Sequence, residues 1–357
     1  MSQPLFSIGV TTYNRPDLLR QCLQAILAQT EGDFEVVVGN DYIAEPLTTE
    51  RLGLSDPRIR ILNYETNLGE LGNMNALLAA ARGRYFTWLA DDDYYSPHFL
   101  ADIHAAMRQF PDAATFFPAY ANVRFYGRNS VRLLFRDFPP VPPRLLTGRE
   151  FLAEYWRGRI KTCGLWGVYR TEHMRTLGGA ANLTNTRIAI MSESMDLIYA
   201  GLQPRVVYLA RPLIYSRAHL GSWSCSNTEA DNFRFAGTNL LRKSIDVFQH
   251  DTLRKDFEGN LTALLQQMIL LIVAKTSARP GGDYSRRMMQ SYLQALEGAG
   301  LPLVDPVLRA PAERSFDAAR SYLNKIAPVF AILSRVPAGL RPFLNRMHGK
   351  VKGEITD

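Results

Sequence analysis

The first half of the chain alternates short apolar runs with segments whose apolar residues recur every three or four positions. The short runs predict buried strands and the helically spaced segments predict helices. Strands that alternate with helices in this way are typical of βαβ units in a mostly parallel sheet. The predicted strands are 6–12, 34–38, 58–64 and 85–89, and the predicted helices are 17–29, 72–81 and 97–110.

Beyond residue 137 the pattern is less regular. The proline-rich stretch 137–147 predicts a loop within the domain. After it the pattern predicts helices at 148–156 and 193–201, and strands at 164–169, 206–209 and 213–215. The strand pattern ends near residue 232, and later segments have helical spacing. We therefore expect an α/β domain over residues 1–240 and an α-helical C-terminal region over residues 241–357.

The last segment, residues 321–353, is amphipathic and basic. Such a segment can lie in an anionic membrane interface, so it predicts contact with a membrane surface. The alternative interpretation is a packed helix with a solvated basic face. The helices between residues 240 and 320 are candidates for homodimer formation.

Composition narrows the function classes. With 46% hydrophobic and 21% charged residues among 357, the chain is not a disordered or low-complexity protein. The net charge of +7 permits anionic partners, but the basic residues are scattered and no nucleic-acid-binding motif is present. Three widely separated cysteines favour a reducing compartment. Without a predicted signal peptide or membrane-spanning segment, we expect a cytoplasmic protein.

The sharpest chemical feature is the triad Asp91, Asp92 and Asp93, which follows the predicted strand 85–89. In open α/β sheets, ligands bind at the carboxyl ends of the strands. Three adjacent carboxylates repel one another, and a Mg²⁺ or Mn²⁺ ion that bridges to a diphosphate would relieve that repulsion. The alternative is a polar turn before the helix that follows.

Three other strand ends carry polar residues, at positions 11–16, 39–41 and 67–69. Several such turns at one sheet edge predict a nucleotide pocket. The first of these turns has no Gly-x-Gly-x-x-Gly motif, which argues against a dinucleotide-dependent dehydrogenase.

The order and spacing of several motifs resemble the family 2 glycosyltransferases of the GT-A fold, over about residues 5–225. These motifs are Thr12–Pro16, Gln29–Thr30, Phe34–Val38, Asn67–Gly69, Ala81–Tyr85 and Asp91–Asp93. The resemblance implies a GT-A (Rossmann-like) fold, a nucleotide-sugar donor, a divalent metal on the acidic motif and inversion at the anomeric carbon.

The resemblance also implies the roles of individual residues. It places nucleotide-sugar contacts at Thr11, Thr12, Tyr13, Asn14, Arg15, Asp41, Asn67, Gly69, Asn75, Asp91, Asp92 and Arg217. It places metal ligands at Asp91, Asp93 and His219, and acceptor contacts at Trp166 and Trp223. Several positions depart from the family, among them Ala90, where a leading Asp is usual, Met74, where an Arg is common, and Asn40, where an additional Asp is usual.

An inverting transfer needs a general base that accepts the proton of the acceptor hydroxyl. The family carries this base in a Glu-Asp motif at the start of a late helix, which corresponds here to Glu193 and Ser194. Glu193 is the first candidate, and Asp196, on the same helix face, is the second. Otherwise Glu193 caps the helix and another group is the base.

We therefore expect an inverting, metal-dependent transferase in bacterial surface polysaccharide synthesis. Its favoured donor is a UDP-sugar, and its acceptor is a glycan or a glycan linked to polyprenyl diphosphate. The basic segment would hold it at the inner face of the plasma membrane. Because Ala90, Met74 and Ser194 depart from the family pattern, the alternative is a catalytically silent member that binds a nucleotide-sugar or serves as an assembly subunit.

Overall fold

A computed structural model describes residues 3–124, 138–156, 158–184, 186–218, 235–240 and 243. The chain divides into two units, Met1–Ala218 and His219–Asp357, and the description below concerns the first. The predicted helical region 241–357 and the basic segment 321–353 lie outside the described residues, apart from Lys243. The predicted domain boundary therefore stays a prediction.

A nine-stranded sheet forms the centre of the first unit, in the order β3-β2-β1-β4-β8-β6-β9-β5, with β7 beside β9. The strands are β1 (Phe6–Thr12), β2 (Phe34–Asn40), β3 (Ile59–Asn63), β4 (Tyr85–Ala90), β5 (Tyr94–Tyr95), β6 (Thr115–Arg124), β7 (Arg144–Leu146), β8 (Val168–Arg170) and β9 (Val206–Ala218). β3, β2, β1 and β4 form a parallel block, and β6 runs parallel to β9. The predicted α/β fold with a mostly parallel central sheet is confirmed.

Six helices accompany the sheet in the described part of this unit. They are α1 (Pro16–Leu27), α2 (Gly69–Ala80), α3 (Phe99–Gln109), α4 (Gly148–Trp156), α5 (Thr171–Thr176) and α6 (Ser192–Gly201). Five of the six were predicted from helical spacing, and α2 begins three residues before its predicted start. The six-residue α5 was not predicted, because it is too short to show a periodic pattern.

Three predicted elements differ from the structure. Arg144–Leu146 is not loop but strand β7, since pairing with β9 satisfies its backbone. The predicted strand 164–169 is a single 3₁₀ turn, Gly164–Trp166, followed by β8. The two strands predicted at 206–209 and 213–215 are one strand, β9, whose pairing with β6 shifts register near Pro118. A proline has no N–H for the ladder, which accounts for the irregularity there.

The central strands of the sheet are buried, and their register determines which residues meet at its carboxyl edge. β2 is buried along its whole length, and β4 is buried at every residue but the last, as expected for parallel strands covered by helices on both faces. In the register of β1 with β4, Thr11 lies opposite Ala90. The next residues, Thr12 and Asp91, therefore meet at the carboxyl edge of the sheet. Within the described residues, no helix combines the length and the hydropathy that a bilayer span requires.

Candidate active site

The acidic triad lies at the carboxyl end of β4 and is buried. Asp91, Asp92 and Asp93 are 0%, 8% and 6% exposed. The Thr12 hydroxyl, at the end of the neighbouring β1, donates a hydrogen bond to Asp91 Oδ2 at 2.6 Å. Two predicted donor-binding residues are thus in direct contact, because parallel strands in register end side by side.

Arg15, directly before α1, bridges two carboxylates of the triad. Its Nη2 lies 2.6 Å from Asp91 Oδ1, and its Nε donates to Asp91 Oδ2 at 3.2 Å. Its Nη1 lies 3.1 Å from Asp92 Oδ2. The Arg15 side chain is 30% exposed, whereas that of Asp91 is fully buried. A partly solvated cation therefore covers a buried anionic pair.

Arg217 reaches the triad from β9. Its backbone N–H donates to Asp93 Oδ1 at 3.0 Å. Its guanidinium lies over the ring of Tyr94, 4.4 Å from the centroid, and Nη2 donates to Gln21 Oε1 at 2.9 Å. The Tyr94 hydroxyl donates to the same Gln21 oxygen. Gln21 and Tyr94 were missed by the sequence analysis, since Gln21 reads as a polar residue on the face of α1.

Burial dominates the electrostatics of the triad. Loss of solvent raises the pKa of Asp91 to about 7, with Arg15 opposing the shift and Asp92 adding to it. Burial, and then the charge of Asp92, also raises the pKa of Asp93. Burial lowers the pKa of Arg217, against the effect of the nearby carboxylates. Removal from water therefore raises the pKa of both carboxyl groups, and Arg15 offsets only part of this rise at Asp91.

The buried carboxylates of the triad are candidate ligands for a divalent cation. Within the described residues, no three His, Cys, Asp or Glu side chains are arranged to hold a metal ion by themselves. Mg²⁺-type ions are commonly held by one or two carboxylates together with substrate phosphates. Buried carboxylates fit that mode of binding, and Asp91 and Asp93 stay the predicted protein ligands. His219, the third predicted ligand, lies outside the described residues.

The ends of β2 and α2 bring together three further predicted residues. Asp41 is buried, and its Oδ1 accepts a hydrogen bond from the Leu68 N–H at 2.6 Å. Asn67 donates from Nδ2 to the Asp41 carbonyl at 3.3 Å, and its Oδ1 accepts from the Gly69 N–H at 3.0 Å. Gly69 has a φ of +73°, and a Cβ there would collide with Arg187. These contacts fix the loop before α2 against the end of β2.

Two tyrosines flank the buried Asp41. Tyr13 is 52% exposed, and its ring meets that of Tyr42 edge to face at 5.4 Å. The adjacent Asn14 has a φ of 51°, in the left-handed region that Asn tolerates. Thr11, on β1, pairs with Gly39 of β2 on one side and with Ala90 of β4 on the other. Tyr42 was not singled out from the sequence, although it directly follows Asp41.

Two other side chains at this edge point to structural roles. Asn40 donates to the Glu45 carbonyl and to Asn63 Oδ1, so it organises the following loop. Asn75, predicted to contact the donor, makes two hydrogen bonds with the backbone of Ala180, at 2.8 and 3.2 Å. No described contact joins Asn75 to the triad, and its role in donor binding stays a prediction.

The two candidate bases lie at the start of α6 in different surroundings. Glu193 is half-buried in the first turn of the helix, after Met191, which has a φ of 60°. Asp196 is 1% exposed, and within the described part of the chain neither of its carboxylate oxygens has a hydrogen-bond partner. Burial, and then the charge of Glu193, raises the pKa of Asp196 well above its ordinary value. Asp196 is thus an enclosed carboxyl group whose neutral form is favoured by burial, whereas Glu193 retains contact with solvent.

The thiol of Cys163 is affected by charges from both α6 and the triad. Loss of solvation raises the pKa of its thiol most, and the negative charge of Glu193 adds to this. Asp196 and Asp93 make smaller contributions in the same direction. The charges of Glu193, at the start of α6, and of Asp93, in the triad, therefore both raise the pKa of this thiol.

The predicted acceptor residues are less accessible. Trp166 is 7% exposed and belongs to the hydrophobic core, with its ring 4.7 Å from that of Tyr120. It therefore offers little surface to an acceptor, and its predicted contact remains untested. Trp223 lies outside the described residues.

Part of the chain is similar in sequence to known glycosyltransferases. Residues 7–174 match the family described as "Glycosyl transferase family 2". The chain is 28% identical over 188 residues to the uncharacterized glycosyltransferase EpsJ of Bacillus subtilis, which covers 50% of this chain and 51% of EpsJ. It is 30% identical over 172 residues to the putative colanic acid biosynthesis glycosyl transferase WcaA of Escherichia coli, which covers 45% of this chain and 60% of WcaA. The chain thus spans little more than half the length of these curated relatives.

A solved structure shares the fold. The crystal structure of S. aureus TarS 1–349 in complex with UDP-GlcNAc superposes with a TM-score of 0.61 at 17% sequence identity. The superposition covers 90% of this chain and 90% of that chain.

Proposed function

Because residues 7–174 match the glycosyl transferase family 2 model, we propose that the chain transfers a sugar from a nucleoside diphosphate donor to an acceptor hydroxyl. The observation that carries the proposal is the buried triad at the end of β4, flanked by Arg15 and Arg217. A diphosphate needs cationic groups around it, and these residues offer both arginines and carboxylates for a bridging cation.

The donor is proposed to be a UDP-sugar. Tyr13 offers an exposed ring and Tyr42 a half-buried one beside Asp41, whose Oδ1 accepts a hydrogen bond from the Leu68 N–H. The second oxygen of that carboxylate can accept an N–H of a base, such as the N3–H of uracil. TarS, which shares the fold, was crystallised with UDP-GlcNAc.

The leaving group is proposed to be stabilised at the triad. Asp91 and Asp93 would hold Mg²⁺ or Mn²⁺, which as a Lewis acid would neutralise the charge that develops on the departing diphosphate. Arg15 and Arg217 orient the diphosphate, because the planar guanidinium pairs with two phosphate oxygens at once.

Glu193 is proposed as the general base. It accepts the proton of the acceptor hydroxyl while that oxygen attacks the anomeric carbon and the bond to the diphosphate breaks, so the configuration inverts. Glu193 suits this role better than Asp196, since a base must be ionised and must reach the acceptor. Asp196 is 1% exposed, and burial raises its pKa well above the ordinary value.

The acceptor is proposed to be a glycan or a lipid-linked glycan in the synthesis of a bacterial surface polysaccharide. The name of WcaA connects that relative with colanic acid biosynthesis. The basic segment 321–353, outside the described residues, is proposed to hold the chain at an anionic membrane surface.

A thermal-shift panel tests the donor. The full chain is heated with UDP-, GDP-, dTDP- and CDP-sugars, with and without Mn²⁺. A ligand that binds the native state at a hundred times its Kd adds about 2.7 kcal/mol to the free energy of unfolding. We expect the largest shift with a UDP-sugar and Mn²⁺ together.

Variants separate donor binding at the triad from general effects. Asp93→Asn should abolish the metal-dependent shift and donor turnover. Asp112→Asn, at a surface carboxylate 74% exposed and paired with Arg205, should leave both unchanged. A chain that binds a sugar nucleotide tightly but turns over no donor would be the catalytically silent member instead.

A further inference from the structure

Arg15 places its positive charge against carboxylates of the triad that a divalent cation would also contact. All the side-chain hydrogen bonds that Arg15 makes within the described residues go to Asp91 and Asp92. Its guanidinium engages both oxygens of Asp91 and one of Asp92, at 2.6 to 3.2 Å. Asp91 is one of the two carboxylates that would contact the cation. The arginine and the cation therefore compete for the same oxygens.

We propose that Arg15 is an internal counter-ion of the triad, which opposes cation binding in the donor-free protein and moves to the diphosphate when the donor arrives. The inference rests on the proposed function and adds to it a mechanism that couples metal binding to donor binding.

The surroundings of Arg15 permit such a move. Its side chain is 30% exposed and is held by no described hydrogen bond other than those to the two carboxylates. It directly precedes α1 and follows Tyr13 and Asn14, so its backbone is next to the proposed base pocket in the chain, while its side chain contacts the triad. A cation on Asp91 would displace the guanidinium, and a diphosphate would offer it a bidentate partner in exchange.

The position of Met74 strengthens the case for Arg15. In the related family an arginine is common there, but Met74 is 3% exposed and uncharged. The positive charge for the diphosphate must come from other residues. Arg15 already lies at the triad and can supply it.

A competition of this kind fixes the sign of two effects. Removal of the Arg15 charge should tighten binding of a cation to the nucleotide-free protein, because a competitor is gone. The same change should weaken binding of the nucleotide, because a phosphate partner is gone. A merely structural role, in which Arg15 holds the triad in shape, would weaken both. Binding coupling is reciprocal, so UDP should raise the affinity of the wild-type protein for Mn²⁺ by the factor with which Mn²⁺ raises the affinity for UDP.

The experiment uses the full chain and its Arg15→Gln, Arg15→Lys and Arg20→Gln variants. Arg20 is on α1, where it contacts Asp17 and the Leu52 carbonyl and makes no described contact with the triad. Mn²⁺ affinity without nucleotide is measured by calorimetry or by electron paramagnetic resonance. UDP affinity is measured at saturating Mn²⁺, so that metal occupancy is equal in all variants.

For Arg15→Gln we expect Mn²⁺ binding without nucleotide to tighten about tenfold or more, and UDP binding to weaken by a similar factor. Arg15→Lys retains the charge and should stay near the wild type in Mn²⁺ affinity. Arg20→Gln should match the wild type in both measurements.

Three results distinguish a failure of the counter-ion role of Arg15 from a failure of the proposed function. If Arg15→Gln binds Mn²⁺ no more tightly than the wild type while UDP still binds the wild type, the counter-ion role is wrong and the proposed function stands. If the wild type binds no nucleoside diphosphate at saturating Mn²⁺, the proposed function itself fails. If Arg15→Gln does not fold, the wild type decides, since a Mn²⁺ affinity that UDP leaves unchanged overturns the coupling.

Discussion

The carboxyl groups of Asp91, Asp196 and Glu193 differ in their hydrogen-bond partners and in their contact with solvent. Asp91 has Arg15 and Thr12 as partners, whereas no described residue is a hydrogen-bond partner of either Asp196 oxygen. An isolated carboxylate is costly to bury, so burial raises the pKa of Asp196 and favours its protonated form. Glu193, three residues earlier on α6, keeps its contact with solvent. Residues of one chemical type are thus suited to different tasks.

At Glu193 we predict that the Gln substitution lowers kcat by about 10²–10⁴-fold, because a neutral amide cannot accept the acceptor proton. Donor affinity should stay within about threefold of the wild type, since Glu193 is not proposed to contact the diphosphate. Steady-state kinetics and calorimetry measure the two quantities.

Glu172→Gln is the matched control for this experiment. Its side chain is 83% exposed on α5 and pairs with Arg175. It should leave kcat unchanged. Full turnover by Glu193→Gln would remove Glu193 from the mechanism and return Asp196 to consideration.

Asp196 leads to a prediction about pH and stability. Its pKa is raised in the folded state, so between the unfolded and the folded pKa the native protein holds a proton that the unfolded chain has released. The free energy of unfolding then falls as pH rises, by up to about 1.4 kcal/mol per pH unit. Asp196→Asn should remove this contribution, so that urea unfolding between pH 5.5 and 7.5 has a shallower pH dependence.

Asp56→Asn is the control for that measurement. A hydrogen bond from Arg58 lowers the pKa of Asp56, so its contribution to stability is present above the ordinary carboxyl pKa and is lost only as pH falls below it. The slope between pH 5.5 and 7.5 should stay as in the wild type. An unchanged slope in Asp196→Asn would mean that Asp196 is ionised in the folded protein.

At the scale of elements, the site depends on how α6 packs against the 3₁₀ turn Gly164–Trp166. A Cβ at Gly164 would collide with the Glu193 carbonyl and would lie 2.8 Å from the Asp196 Cβ. The Tyr169 hydroxyl also donates to the Gly164 carbonyl at 2.6 Å. Only a glycine lets the turn approach the helix that carries the proposed base.

We therefore predict that Gly164→Ala displaces α6. Overpacking of this kind destabilises by about 1–3 kcal/mol, and the shift of Glu193 should reduce kcat about tenfold or more. Thermal unfolding and steady-state kinetics measure both effects. Gly32→Ala, where a Cβ meets nothing within 4 Å, should be close to neutral. Wild-type kcat in Gly164→Ala would show that α6 tolerates the displacement.

At the scale of the whole molecule, the sheet brings distant segments to one edge. The triad follows β4, Arg217 belongs to β9, and 124 residues of sequence separate Asp93 from the backbone N–H that it accepts. The pairing of β5 with β9 makes this contact possible. The site therefore forms only when the sheet is complete up to β9.

The basic segment 321–353 leads to a prediction for the full chain. Its basic residues are Lys325, Arg335, Arg341, Arg346, Lys350 and Lys352. Each basic residue near an anionic bilayer contributes about 1 kcal/mol. We expect the full chain to sediment with anionic vesicles in a salt-sensitive way, and deletion of residues 321–357 to abolish this. Neutral phosphatidylcholine vesicles are the control, and equal sedimentation of the truncated chain would contradict the prediction.

The sequence by itself determined the elements whose pattern is local. β1, β2 and β4 are continuous apolar runs, and α1 and α3 repeat apolar residues at helical spacing, so each was predicted within a few residues. The triad was also predicted, because three carboxylates directly after a buried strand are conspicuous in the sequence. The triad and the motifs around it sufficed for the family resemblance, which the family match of residues 7–174 confirms.

Only the tertiary structure decided which of these side chains meet. β7 and β5 are too short for a pattern, and they exist because β9 supplies their hydrogen-bond partners. The engagement of Arg15 by two carboxylates and the isolation of Asp196 depend on burial, which sequence spacing does not reveal. The physical reason is that local periodicity fixes secondary structure, whereas charge balance and access to solvent depend on contacts between residues far apart in the chain.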